Sequence, residues 1–216
     1  MARGLFILLC CLGAFVAGSC SPLPLLQDAS VVRKGQLKVG VGAFMAMPTE
    51  AKTYMEPDGP GAKGSLDNDL QYMPLIHAAG WTRYGFAEDL EFTTSFHVPT
   101  FAIAIGLKWA AVPYEPGDVV SLALSGDIGG SFVIMSYVIG VGIVTSFHVS
   151  EEVSLDLATR FGTMTGLWTG PALTSTIGLS FGRKSTLRFA AGYATGFGEQ
   201  LGPSAPALFV GGGWEY

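Results

Sequence analysis

His148, Val149 and Ser150 run directly into Glu151 and Glu152. A histidine beside a hydroxyl, oriented by a carboxylate, can carry acyl transfer by taking up the hydroxyl proton. A match of three residues recurs by chance, however, and residues 150–152 read as a tight turn. A turn role is therefore expected for His148. His77 and His97 fall on neighbouring alternating segments, both projecting to the inner side at nearly opposite positions. Two imidazoles can begin a metal site, but no Asp, Glu or Cys projects inward at that level, so no metal and no other cofactor is expected. Asp127 lacks the acidic partner that paired-aspartate hydrolysis needs. The glycines at 40 and 42, 140 and 142, and 211–213 alternate within strand-like runs and open no helix, which excludes phosphate loops.

What remains is a set of charges on one face: Lys38, Arg83, Glu91, Lys108, Asp156, Arg160, Arg188 and Glu215. All but Arg160 lie close to one end of their segments. Opposite charges in a confined space should pair, because burying an unpaired charge is costly. Arg83 and Glu91 flank the turn Ala87-Glu88-Asp89 and point the same way. Lys38 and Glu215 lie near the ends of the first and last segments, and an ion pair is expected where those segments meet.

The elements that position these charges follow from patterning. Hydrophobic residues make up 49% of the 216, and charged ones 13%. Soluble domains carry about 25% charged residues. Thirty glycines argue against a helical protein. Outside the N-terminus no apolar run approaches the length of about 18 that a membrane helix needs. Period-two alternation instead marks ten segments: 37–46, 71–86, 90–98, 100–110, 119–127, 133–148, 153–163, 172–182, 186–196 and 207–216. One face carries Leu37, Val39, Val41, Ile103, Ile105, Leu107, Val120, Leu122, Leu124, Ile139, Val141 and Ile143. The other face is mostly Gly, Ala, Ser and Thr. A soluble sandwich would turn charges outward. Every second segment finishes on outward aromatics: Tyr84, Phe86, Trp109, Phe147, Phe181, Trp214 and Tyr216. Amphipathic rings favour the membrane interface. Only helices and closed barrels satisfy their backbone in lipid. The fold class is therefore all-β: a closed antiparallel transmembrane β-barrel of ten strands, or of eight if 90–98 and 100–110 do not separate.

Connections alternate between short turns (87–89, 150–152, 183–185) and longer loops, the longest being 47–70, as in transmembrane barrels; the 111–118 link is longer than its counterparts, and the 98–100 link is unusually short. Both termini of the barrel are then expected on the periplasmic side. Residues 1–19 have the layout of an export signal: Arg3, an apolar stretch from Leu5 to Val16, then small residues. Ala17-Gly18-Ser19-Cys20 resembles a bacterial lipobox, with Ala17 where Leu or Val is usual. That resemblance implies lipidation of Cys20, with 20–36 as a tether and 37–216 as the barrel.

The stretch YMPLIHAAGWTRYGFAEDLEFTTSF is similar to a poorly characterised group of bacterial outer-membrane barrels. The final segment, ALFVGGGWEY, resembles their terminal strands, which implies recognition by the barrel-assembly machinery. These resemblances imply outer-membrane lipid as a partner. They carry no catalytic motif. Outer-membrane lipid A deacylases and phospholipases also use His-x-Ser on a strand, but their site faces the outer leaflet, whereas His148 falls at a periplasmic turn. No basic cluster exists for nucleic acid. The expected protein is a non-enzymatic structural barrel, docking a partner through loop 47–70, with a lumen closed near the periplasm. Two alternatives are a narrow pore for small or hydrophobic molecules, as in outer-membrane protein W-like barrels, and a lipid-modifying hydrolase.

Overall fold

In the computed structural model, residues 27–48, 75–98, 101–131, 136–165, 170–182, 185–196 and 207–216 are described. The expected export signal at 1–19, Cys20, loop 47–70 beyond Pro48 and turn residues 183–184 lie outside them. Ten strands run in chain order: β1 (Leu37–Pro48), β2 (Leu75–Gly85), β3 (Leu90–Val98), β4 (Ala102–Val112), β5 (Val120–Ser131), β6 (Ser136–Ser150), β7 (Val153–Thr165), β8 (Gly170–Phe181), β9 (Thr186–Gly196) and β10 (Ala207–Glu215). Each pairs antiparallel with its neighbours, and β10 pairs with β1 to close the ring.

Ten strands form, rather than the fallback of eight, because β3 and β4 pair with each other over Leu90–His97 and Ala102–Trp109. Several strands run past the ends that alternation marked: β4 to Val112, β5 to Ser131 and β6 to Ser150. Bulges at Ala110/Val112 and His148/Ser150 let β4 and β6 continue beyond the break in their register. At the seam, Val39 and Tyr216 exchange both backbone hydrogen bonds at 2.9 Å. The last residue thus completes the ladder.

Side chains divide by parity. Leu37, Val39, Val41, Ile103, Ile105, Leu107, Ile139, Val141 and Ile143 are exposed on the outer wall, as are all seven of the terminal aromatics from Tyr84 to Tyr216. The inner wall combines small and polar side chains, with Ser121, Ser146, Thr174 and Ala123 buried, and a few large ones, among them Phe44, Trp81 and Phe209. An outer wall this apolar suits lipid and not water.

Val141, 62% exposed near the middle of β6, tests that assignment. Val141→Arg should destabilise the barrel in liposomes by about 2–4 kcal/mol if the site faces the bilayer centre. On a water-facing surface the same change stays within about 0.5 kcal/mol. Denaturant unfolding of the lipid-reconstituted protein separates the two, and a neutral result would reject the transmembrane wall.

Candidate functional site: the charged base of the lumen

The tight-turn end of the barrel holds most of the ionisable side chains that face inward. Its centre is Arg83, on β2 two residues before the strand end. Its Nε and Nη2 donate to the two oxygens of Glu91 at 2.8 and 2.9 Å. Its Nη1 donates to Glu215 at 3.1 Å and to Asp28 at 3.3 Å. Its Nη2 also donates to the Ser30 carbonyl at 2.5 Å. A guanidinium has five N–H donors, and these five bonds use them all.

Two carboxylates spread the network around the wall. Glu91 lies 3.0 Å from Lys108 on β4. Glu215 lies 3.1 Å from Arg188 on β9 and 3.4 Å from Lys38 on β1, and it accepts the Trp81 indole N–H at 2.9 Å. The register explains these meetings. Glu91 faces Lys108 across β3 and β4, and Lys38 faces Arg83 across β1 and β2. Gly40 faces both Glu215 and Trp81, and a side chain at position 40 would strike the Trp81 ring. That glycine makes room for the indole to reach Glu215. Asp156, on β7, accepts the hydroxyls of Ser146, Ser154 and Ser180 within 3.0 Å.

The largest departure from the sequence reading concerns residues 27–32, expected as part of a tether. They lie inside the barrel. Gln27, Ala29 and Val32 are buried. Val32 N–H donates to Glu91 at 2.8 Å, and Ala29 N–H donates to Ser146 Oγ at 2.8 Å. Lys108 Nζ donates to the Asp28 carbonyl at 3.1 Å. The Ala29 methyl sits among Ala123, Val144 and Ala158. The segment climbs from the tight-turn end at Val32 to mid-lumen at Gln27, which touches a small cavity with Ser125, Gly142, Arg160 and Thr174. It enters beside Gly85, where any side chain would collide with the Val32 and Arg33 carbonyls. An apolar, hydrogen-bonded seat of this kind holds a chain in place, and a free tether has none.

Asp28 lies at the hub. Its carboxylate is 3.2 Å from Arg188 and 3.3 Å from Arg83. Burial works against its ionisation, but the cations of Arg188, Arg83 and Lys108 outweigh it and hold the carboxyl below the usual range. Four cations, Lys38, Arg83, Lys108 and Arg188, face three wall carboxylates, Glu91, Asp156 and Glu215, and Asp28 supplies the fourth.

Arg160 sits apart, higher in the lumen, where it pairs with Asp127 at 2.5 Å. Sequence reasoning missed both acids. Asp127 was weighed only as half of an acidic pair, and Asp28 precedes the first strand. His77 and His97 are buried in the upper lumen, His77 stacked on Phe44 at 5.1 Å and His97 bonded to Ser95 at 3.0 Å. Among the described residues no group of three or more His, Cys, Asp or Glu is placed to hold a metal ion. His148 lies 2.8 Å from Ser121 rather than engaging Ser150, under the Tyr114 ring. Ser121 is fully buried, out of reach of an ester substrate.

No family profile and no curated protein matches the chain. Among solved structures, the barrel is similar to an outer membrane channel of Pseudomonas putida F1, at 11% identity over 89% of this chain and 98% of that one, TM-score 0.46. It is also similar to OprG of Pseudomonas aeruginosa, at 12% identity over 88% of this chain and 99% of that one, TM-score 0.37. A third is Ail of Yersinia pestis, at 13% identity over 85% of this chain and 99% of that one, TM-score 0.30. These likenesses are loose, and each neighbour's function remains its own.

Proposed function

We propose that this protein is a non-enzymatic barrel of a bacterial outer membrane whose lumen is shut by its own N-terminal segment. The observation that carries the reading is the seating of residues 27–32 in the lumen, where Arg83, Glu91, Lys108 and Glu215 are each 1% exposed or less. Among the described residues, side chains this closely packed around the segment favour a shut base. In this reading the barrel serves as a structural element of the membrane that docks a partner through loop 47–70. A lipid-modifying activity has little support, since Ser121, the hydroxyl that His148 meets, is fully buried.

A second reading, a gated narrow conduit, draws on one feature. The stopper is held to the wall by ion pairs and hydrogen bonds, which reversible release could break. Planar-bilayer recording tests both readings. The full-length protein should show no resolved openings, and a variant lacking residues 27–34 should show discrete ones. Steady conductance from the full-length protein would overturn the shut lumen. A silent deletion variant would mean that the wall alone closes it.

A further inference from the structure

The lumen base reads the inserted segment much as a receptor reads a peptide. Main-chain groups of four residues, Asp28, Ala29, Ser30 and Val32, are each bonded by a wall side chain: Lys108, Ser146, Arg83 and Glu91 respectively. Recognition of a backbone by fixed donors and acceptors is independent of sequence. Selectivity then comes from what the side chains enter. Three positions are restricted here. Asp28 meets two guanidinium groups. Ala29 is 1% exposed and fills a methyl-sized space against Ala123 and Val144. Val32 is 3% exposed. Ser30 and Val31 are only partly buried, and Arg33 to Gln36 are exposed.

We propose that the lumen base is a binding site for a peptide that brings one carboxylate into it, of the pattern Asp-Ala-x-x-Val, occupied in this chain by its own residues 28–32. The inference deepens the reading of that segment as a stopper and rests on it. With the segment out, the wall keeps an excess of one cation at the base, which favours an incoming carboxylate. The three guanidinium and ammonium groups, Arg83, Arg188 and Lys108, lie around one point. The spaces for Ala29 and Val32 fix the register of the chain that follows. A peptide of this chemistry from another chain meets the same donors and acceptors as the segment it replaces. The association would be selective because a buried carboxylate without its guanidinium partners is strongly disfavoured.

The test keeps the barrel intact until after folding. A specific protease site is placed in the exposed 33–36 link, the purified protein is cut, and the freed segment is washed out at high salt. A labelled peptide QDASVVRK is then added, and binding is read by fluorescence anisotropy. Saturable binding is expected, at least tenfold weaker for the peptide with Asn in place of Asp and lost for the peptide with Trp in place of Ala. Millimolar acetate should not displace it. Equal binding of a scrambled peptide, or full displacement by acetate, would overturn the proposal and leave only a general anion site. Retention of the cut segment through the wash still allows exchange with labelled peptide, and failure to exchange at any peptide concentration also overturns it. Because the readout is binding, it is independent of the bilayer result. A cut barrel that binds the peptide yet never conducts would refute the stopper role alone.

Discussion

Arg83→Ala is expected to lower the stability of the folded barrel by about 3–5 kcal/mol, as breaking a buried ion pair from one side does. The side chain is 1% exposed and touches Glu91, Glu215 and Asp28. Its removal leaves three carboxylates close together with Lys108, Arg188 and Lys38 to offset them, and it takes away the donors of five hydrogen bonds. A cavity is added where the guanidinium was. Lys38→Ala is the control. Lys38 also pairs with Glu215, but its side chain is 23% exposed. Glu215 keeps Arg83, Arg188 and Trp81 when Lys38 is lost, so a smaller loss of about 1.5 kcal/mol is expected. Denaturant unfolding of both variants in liposomes, followed by tryptophan fluorescence, gives the comparison. Equal, small losses would mean that the base is hydrated and that its charges act singly.

Asp28→Lys should expel the inserted segment while leaving the strand ladder in place. The new ammonium would lie where a carboxylate now meets Arg83 at 3.3 Å and Arg188 at 3.2 Å. Two like charges 4 Å apart repel by about 4 kcal/mol at an effective dielectric near 20. Attraction of similar size is lost as well. Either change alone shifts a seated-to-released equilibrium by about a thousandfold. Two measurements should follow it. Residues 27–36 should become sensitive to protease, and the variant should conduct in planar bilayers as the 27–34 deletion does. Asp28→Asn keeps the shape and removes only the attraction, so its effect should be smaller. A protected, silent Asp28→Lys variant would show that apolar packing of Ala29 and Val32, with main-chain bonding, holds the segment without its charge.

The ten strands were legible because alternation is a local property. Each strand shows one face to the outside and one to the lumen, so Val39 and Val41 or Ile103 and Ile105 announce their direction within a few residues. The aromatics at the tight-turn ends were legible for a similar reason, since turn positions and parity together place them. Arg83 with Glu91 fell within one hairpin, and Lys38 with Glu215 followed from closure of the ring.

Asp28 and Asp127 were harder to place. Among the inward charges taken from patterning, Lys38, Arg83, Lys108, Arg160 and Arg188 outnumber Glu91, Asp156 and Glu215 by two. Unpaired cations in a narrow lumen are costly, so the imbalance called for two more carboxylates. The structure supplies Asp127 against Arg160 and Asp28 against Arg83 and Arg188. That shortage was visible in the sequence, but nothing local said which acids would meet it.

By itself the sequence determined the architecture: a closed antiparallel barrel, its outward and lumen-facing sides, and a cluster of mixed charge at one end. These depend on parity and turn spacing, which any few consecutive residues display, while the pairing of β3 with β4 decided for ten strands over eight. Only the tertiary structure decided that the chain's own 27–32 sit in the base of the lumen. A segment of five or six residues outside the ladder has no periodicity to read. Its place depends on groups brought together from β2, β3, β4, β6 and β9, which meet only once the ring has closed.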